Sequence, residues 1–550
     1  MTTKTTMAGI TTQRSALLAL AFTILAACSD PATESTPPVN YDVVIRGGTL
    51  YNGADQPPVT GDIAINDQHI VAIGALDNWS ADTEIDATGL AVMPGFIDIH
   101  SHALRSDPEE GGILRWPDAE NLVRQGVTMV VGGNDGSSPV PLAPSFAQIA
   151  ELPPAIHFAS FVGHGSVREA VVGEEDRPPT GDELDAMREL VAEAMEQGAF
   201  GLSSGLIYAP GRFADTDEVV ALAEATAPYN GIYISHMREE GLGLIDSVNE
   251  TIAVGERAGI PTQLTHHKVV GYPMWGSSEE TLRLVDEAIA RGVDVSIDQY
   301  PYTASSTNLQ ILFPGWSLDG GRQALLERAA DPDLRTQLRS DIAHNIEVDR
   351  GGNDPANVVL AGCPHDPSLN GMNLSQVLVQ QGRERTNNNA AELLIELVEA
   401  GNCSAVFHAM VEEDVLRIMQ HPTTMIASDG GVEAPSDRAV HPRNYGTFAR
   451  FLSHYTQNME VMPMHTAVHK ITQMPADRLN INDRGRLEEG AFADIAVLDL
   501  EAIKELTTFA EPHQYAEGAV HVFVNGEAVL IDGEMTGTRP GQIVRSSDYR

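Results

Sequence analysis

The sequence predicts an α/β fold: a (β/α)8 TIM-like barrel beside a small β-sandwich built from both ends of the chain. Three observations predict it. Short β-branched runs alternate with helical patterns through the middle of the chain. Strand-like segments broken by Gly, Asn and Asp turns recur at both ends. Reactive side chains follow the middle runs, and the C-terminal strand ends are where such a barrel carries its chemistry.

In chain order, Lys4 and Arg14 precede an apolar run over residues 15–27. The run is too short to span a bilayer, and basic-then-apolar order is that of an export signal, here residues 1–27. It closes on Leu25-Ala26-Ala27-Cys28, which resembles the bacterial lipobox. The expectation is lipidation of Cys28 and anchoring to a bacterial membrane on the periplasmic side, with Ser29 pointing to the outer membrane by the usual sorting rule. The other reading is a plain secretory signal cut near Ala27, giving a soluble periplasmic or secreted protein. Residues 28–39, polar and Pro-rich, read as a flexible tether.

Residues 40–90 form a string of short strands, and the same texture returns within 483–550, at 494–498 and 520–526. The two ends are expected to pair as the sandwich. Between them, 91–482 is the barrel. Its eight runs are 91–99, 127–133, 155–162, 200–204, 231–235, 261–265, 294–298 and 423–427, and helical patterns at 182–196, 216–226 and 278–291 alternate with them. Between the seventh and eighth runs a Gly- and Asp-rich stretch, at about 308–382, reads as an inserted subdomain. It is either a lid over a binding site or a structural excursion.

The formal charge of −43 argues against nucleic acid as a partner, because such binding depends on Lys and Arg neutralising phosphates. Only Cys28, Cys363 and Cys403 are present, so one pair could bridge and no disulfide framework is possible.

The chemistry gathers at the run ends. The first run leads into His100-Ser101-His102, alternate residues that can point the same way into a barrel mouth. Alone, a His-x-His is weak evidence. The second run leads to Asp135, the fifth to His236, the sixth to His266-His267-Lys268 and the eighth to Ser428-Asp429-Gly430. Each has a bland reading as a loop residue or a satisfied core histidine. Five metal-compatible ends together point to a metal site of imidazole and carboxylate, a donor set that suits zinc.

Together with Pro94-Gly95-Phe96-Ile97-Asp98-Ile99 before those histidines, Ser203-Ser204-Gly205-Leu206-Ile207-Tyr208-Ala209-Pro210-Gly211, Tyr300-Pro301-Tyr302 and His441-Pro442-Arg443-Asn444-Tyr445, these motifs carry a likeness. The chain resembles the D-aminoacylase (N-acyl-D-amino acid deacylase) family of the amidohydrolase superfamily, from Tyr41 to Arg545. The resemblance implies a metallo-hydrolase barrel and zinc-dependent cleavage of the amide bond of a small-molecule N-acyl-D-amino acid. It implies that His236 and His266 hold a tightly bound zinc, that His100 and His102 belong to a second, weaker divalent metal position, and that Asp429 is the catalytic carboxylate. Lys268, Tyr300, Ser306 and Arg443 would contact substrate, the two cations facing its carboxylate.

The sequence departs from the family in two places. Asp135 stands where the well-known D-aminoacylases have a metal-binding cysteine; carboxylate can also bridge two ions, and as a harder ligand it favours Mn or Co more than thiolate does. The segment from Asp429 to Arg443 is three residues longer than the family norm, which leaves Arg443 open to a surface role. The fourth run, Gly201-Leu202-Ser203-Ser204, lacks the lysine that hydantoinases and dihydroorotases carboxylate to bridge their ions, which gives the bridging role to Asp135. His164 has either a structural or a pocket-lining role, and His267 faces away from the site. Rival expectations are a D-dipeptidase, cyclic amidase or lactonase on the same scaffold, or a non-catalytic ligand-binding surface lipoprotein.

Overall fold

The structure, a computed structural model, describes residues 38–104, 111–436 and 438–550. The export signal, Cys28 and residues 28–37 of the tether lie outside the described residues.

Eight parallel strands form the barrel. Phe96–Asp98, Val127–Gly132 and His157–Ser160 pair in order, and Val162–Gly163, Gly201–Gly205, Ile232–His236, Thr262–Leu264, Val295–Gln299 and Thr424–Ile426 continue it. The third strand is interrupted at Phe161, so its two halves pair with different neighbours. The ring closes through the Ser101–Gly430 bridge, with Asp429 N–H donating to His100 O (2.8 Å) and His102 N–H to Gly430 O (2.6 Å). Closure therefore brings His100, His102 and Asp429 together through backbone alone.

Strand residues alternate as the pleat requires. Ile97, Met129, Ile234 and Met425 share a cluster inside the barrel, with Leu479 and Ile481. Phe96, Val130, Leu202 and Ile426 share another with helix residues such as Leu122, Val191 and Val219. The helices start where their caps dictate: Thr180 accepts from Glu183 N–H while the Glu183 carboxylate accepts from Thr180 N–H, a reciprocal box opening Gly181–Glu196.

The two chain ends form one nine-stranded sheet. Its order runs from Glu534–Met535 through Glu527–Ile531, Ala519–Val524, Ile495–Leu498 and Ala91–Pro94 to Val39–Leu50, Val59–Asn66 and His69–Gly74, with Trp79–Asp86 also beside Val39–Leu50. Ile63 and Ile70 from one side pack with Val497 and Phe523 from the other. The first expected run is thus two strands rather than one. Ala91–Pro94 pairs antiparallel with Ile495–Leu498, and after Gly95 the chain enters the barrel as Phe96–Asp98. A Cβ on Gly95 would lie 2.1 Å from Thr128 Oγ1, so the crossing requires glycine.

The inserted unit is wider than 308–382. Its sheet joins Ser305–Asn308, Ser404–Phe407 and Val358–Gly362, all antiparallel, with Ser404–Phe407 in the centre. Helices Pro332–Val348 and Asn387–Ala400 cover it around Leu338, Ile342, Leu394 and Phe407. A disulfide links Cys363 and Cys403.

Candidate active site

Asp135 is the hub of the site. It sits on a left-handed turn (φ 54°) beside Gly136 (φ 73°), packed against the end of the fourth strand. A Cβ on Gly205 would lie 2.1 Å from the Asp135 carbonyl oxygen, so a side chain there would push the turn away. Ser203 holds the turn: it accepts from Gly136 N–H (3.1 Å) and donates to Gly133 O (2.5 Å).

The Asp135 carboxylate faces four imidazoles. Oδ1 lies 3.4 Å from His100 Nε2 and 3.3 Å from His266 Nε2, while Oδ2 lies 3.5 Å from His102 Nε2 and 3.4 Å from His236 Nδ1. Two ligand groups share it. His100, His102, Asp135 and Asp429 form one; Asp135, His236 and His266 form the other, with donor atoms in each within 4.8 Å of one another. His236 Nδ1 and His266 Nε2 are 2.8 Å apart, close enough for one cation to touch both.

Two observations show that these residues fit a metal. His100 Nε2 and Asp135 Oδ1, which face the shared ligand space, are buried without a hydrogen-bond partner, a rare and costly state that an ion relieves. The electrostatics agree. Burial pushes the His100 imidazole toward neutrality, but Asp135 and Asp298 outweigh it and raise its pKa well above the usual range. Burial likewise raises Asp135, and His266, His100 and His236 overcome it, holding the carboxylate well below its normal range. The pocket is built to gather positive charge at its imidazole nitrogens. His266 (φ 35°) and Asp429 (φ 50°) share the left-handed backbone of Asp135. Such conformations cost about 1–3 kcal/mol each and persist where the surroundings enforce them.

Behind the ligands lies a buried polar layer that the sequence reading did not anticipate. Asp298 Oδ1 accepts from His266 N–H (2.7 Å) and lies 3.3 Å from His100 Nδ1, so one carboxylate orients a histidine from each group. Glu240, 1% exposed at its side chain, lies 3.3 Å from His266 Nδ1 and 3.5 Å from His236 Nε2. It also binds Lys268 Nζ (2.6 Å) and Arg350 Nη2 (2.5 Å), the arginine coming from the inserted unit. Asp298 was legible in kind, since it closes the seventh run as the other site residues close theirs. Arg350, 110 positions from Glu240, had no local signal.

Lys268, Tyr300, Ser306 and Arg443 all line the same cavity of about 640 Å³. The Lys268 charge is already matched by Glu240, and its Nζ lies 2.7 Å from His266 Nδ1. Arg443 opens helix Arg443–Arg450, with Nη1 donating to Asp429 Oδ2 (2.8 Å) and Nη2 to Ser306 O (3.3 Å). The longer approach segment thus still delivers the arginine into the pocket. The Tyr300 ring lies 4.9 Å from the Arg443 guanidinium and 5.4 Å from Lys268 Nζ. Asp429 Oδ1 is 3.0 Å from His102 Nε2. Burial raises the Asp429 pKa, but Arg443, then His266, His102 and His100, hold it far below the normal range.

His164 and His267 each partner a residue outside the cavity lining. His164 Nε2 lies 3.0 Å from Glu218 Oε1, away from the cavity lining. His267 Nε2 lies 2.8 Å from Thr281 Oγ1 on helix Ser278–Ala290.

The likenesses to known proteins agree with this geometry. Residues 83–530 match the model of the Amidohydrolase family. A D-aminoacylase of Alcaligenes xylosoxydans xylosoxydans is 34% identical, with 92% of this chain and 97% of that one covered. An N-acyl-D-glutamate deacylase of the same organism is 36% identical, covering 92% and 96%. The crystal structure of N-acyl-D-glutamate deacylase from Bordetella bronchiseptica, complexed with zinc and a phosphonate inhibitor mimicking the tetrahedral intermediate, superposes with a TM-score of 0.78 at 31% identity, covering 92% and 100%. Barrel, ligand set and carboxylate are those of a zinc-dependent amide hydrolase. The chain belongs to the amidohydrolase family, in its D-aminoacylase and N-acyl-D-amino-acid deacylase branch.

Proposed function

We propose that the protein hydrolyses N-acyl-D-amino acids, releasing a carboxylic acid and a free D-amino acid. The observation that carries the reading is the convergence, in one cavity, of the shared ligand Asp135, the proton-handling candidate Asp429 and a carboxylate-binding candidate, Arg443. The stereochemical preference comes from the relatives.

His236, His266 and Asp135 would hold zinc, with His100 and His102 at a second position, and when bound it would supply Lewis acidity toward the amide carbonyl and acidify water. Asp429, ionised and facing both ligand groups, takes the proton of the attacking water and delivers it to the departing amine nitrogen. One carboxylate serves both transfers, as general base and then general acid. Arg443 has a second task. Its Nη1 holds Asp429 as carboxylate, and a substrate carboxylate sharing that guanidinium loosens the hold and makes Asp429 a stronger base. Substrate binding and proton transfer are coupled in this way. Tyr300, stacked on Arg443, keeps the guanidinium plane in place.

The test is a screen of matched N-acetyl-D- and N-acetyl-L-amino acids on zinc-reconstituted protein, with D-dipeptides, hydantoins and lactones alongside. Turnover of the D series alone is expected. Hydrolysis confined to the cyclic substrates or lactones overturns the reading.

We also propose that the enzyme works outside the cytoplasm on a lipid anchor at Cys28. The lipobox-like Leu25-Ala26-Ala27-Cys28 supports this, as does the Cys363–Cys403 bridge, since disulfides persist in oxidising compartments. Cys28→Ala should abolish metabolic labelling with palmitate; unchanged labelling refutes it.

A further inference from the structure

A second cavity of about 450 Å³ adjoins the active-site pocket, sharing Tyr208, Ala209 and Asn308 with it as a common wall. Four buried apolar side chains line it, Ile207 from the loop after the fourth barrel strand and Ile311, Leu318 and Leu325 from the inserted unit, beside the polar Asn308, Gln310 and Asn402. Glu174 and Arg322, both exposed, stand at its outer edge.

The two cavities lie side by side across that wall. Strand Ser305–Asn308 runs along both. At one end Ser306 O accepts from Arg443, the group that faces a substrate carboxylate. One residue further, Thr307 Oγ1 lies 3.1 Å from the Tyr208 hydroxyl, and Asn308 then borders the second cavity. The Tyr208 ring itself meets His236 edge-on, with centroids 4.7 Å apart, so this junction stands directly beside the candidate metal ligands.

In an extended N-acyl amino acid the carboxylate and the acyl chain are opposite ends of the molecule, with the scissile carbonyl between them. A substrate whose carboxylate meets Arg443 and whose carbonyl lies at the ligand cluster sends its acyl chain past Tyr208. The geometry points to the second cavity as an acyl subsite that takes a medium-length, unbranched alkyl chain. The favoured substrates are then N-acyl-D-amino acids carrying medium-chain fatty acyl groups rather than acetyl, a deepening of the proposed function that rests on it.

The experiment uses the zinc-loaded full chain and N-acyl derivatives of one accepted D-amino acid, from acetyl to decanoyl. Burial of each methylene is expected to raise kcat/KM about fourfold, equivalent to about 0.8 kcal/mol, until the cleft is filled. Leu318→Trp and Gln310→Trp, which place a large ring in the cleft, should collapse the ratio of octanoyl to acetyl kcat/KM toward one. Calorimetric binding of octanoate to the zinc-loaded protein gives an independent reading, expected to weaken at least tenfold in both variants. A flat or falling chain-length series in the unmodified enzyme overturns the subsite, as does a series that keeps its slope in both variants. If no N-acyl-D-amino acid is turned over, the proposed function fails; the octanoate measurement still decides the cleft.

Discussion

Glu240→Gln tests whether the buried layer behind the metal ligands holds the site in shape. The glutamate carries no proposed part in bond cleavage, yet it faces Lys268 at 2.6 Å, Arg350 at 2.5 Å and two ligand histidines within 3.5 Å. Burial alone would raise its pKa, but Lys268 and His236 reverse this and hold it well below the carboxylate range, so it is charged at neutral pH. Glutamine preserves shape, so no cavity opens; only the charge is lost. Lys268 and Arg350, 2% and 1% exposed, then lose their shared counter-charge, Arg350 keeping only Asp349 at 3.3 Å. Removing one member of a buried ion pair costs about 3–5 kcal/mol. Metal affinity should fall as well, by about 10- to 100-fold, the usual effect of losing a partner that orients ligating histidines. Chelator competition measures the second quantity and denaturant unfolding of the metal-free protein the first. Arg350→Met alone should cost less, since Lys268 still neutralises the carboxylate, and adding it to Glu240→Gln should recover part of the lost stability. A Glu240→Gln protein within 1 kcal/mol of the parent and within threefold in zinc affinity would show that the layer is ornamental.

Asp429→Asn should lower kcat by about 10²- to 10⁴-fold, the range for lost acid–base catalysis, while metal analysis shows the His236–His266 position still filled; near-normal turnover refutes its role. Asp135→Cys, which installs the softer ligand, should shift retention toward zinc over manganese when metals compete at limiting amounts, and an unchanged metal ratio contradicts the ligand assignment. His267 gives a pH signature: burial first, then Lys268, pushes its pKa down to about 3 from 6.5. Its contribution is complete above pH 6.5 and is lost as pH falls toward 3, when the unfolded chain binds the extra proton, up to about 5 kcal/mol in all. His267→Gln should therefore flatten the acid limb of the stability profile between pH 6.5 and 4, and unfolding midpoints across that range check it.

What the sequence made legible was set by locality. Five of the barrel's strand runs are followed within a few residues by a functional side chain, so His100, Asp135, His236, His266 and Asp429 could be placed at strand ends one at a time. Their shared direction follows from the closed ring. Partners that act across the fold left no such trace. Glu240 lies four residues after His236 and looks like an ordinary acidic loop residue until Lys268 and Arg350 arrive from elsewhere. The extent of the inserted unit was hidden for a related reason: Ser404–Phe407 is four residues long, and only its pairing on both sides with Ser305–Asn308 and Val358–Gly362 identifies it as a central strand. The split of the first run at Gly95 was equally silent, because both halves are apolar and the difference lies in which neighbours they meet.

That split has a consequence for how the molecule comes into being. Ala91–Pro94 is stitched to Ile495–Leu498, about 400 positions downstream, and Phe158 forms a bridge with Ile543 near the C-terminus. The stretch that carries His100 and His102 is held by segments made last, so a nascent chain stalled before residue 495 lacks the brace on its own first ligands. Contacts of such sequence separation slow folding. Synthesis of nearly the whole polypeptide must therefore precede the maturation of its metal centre.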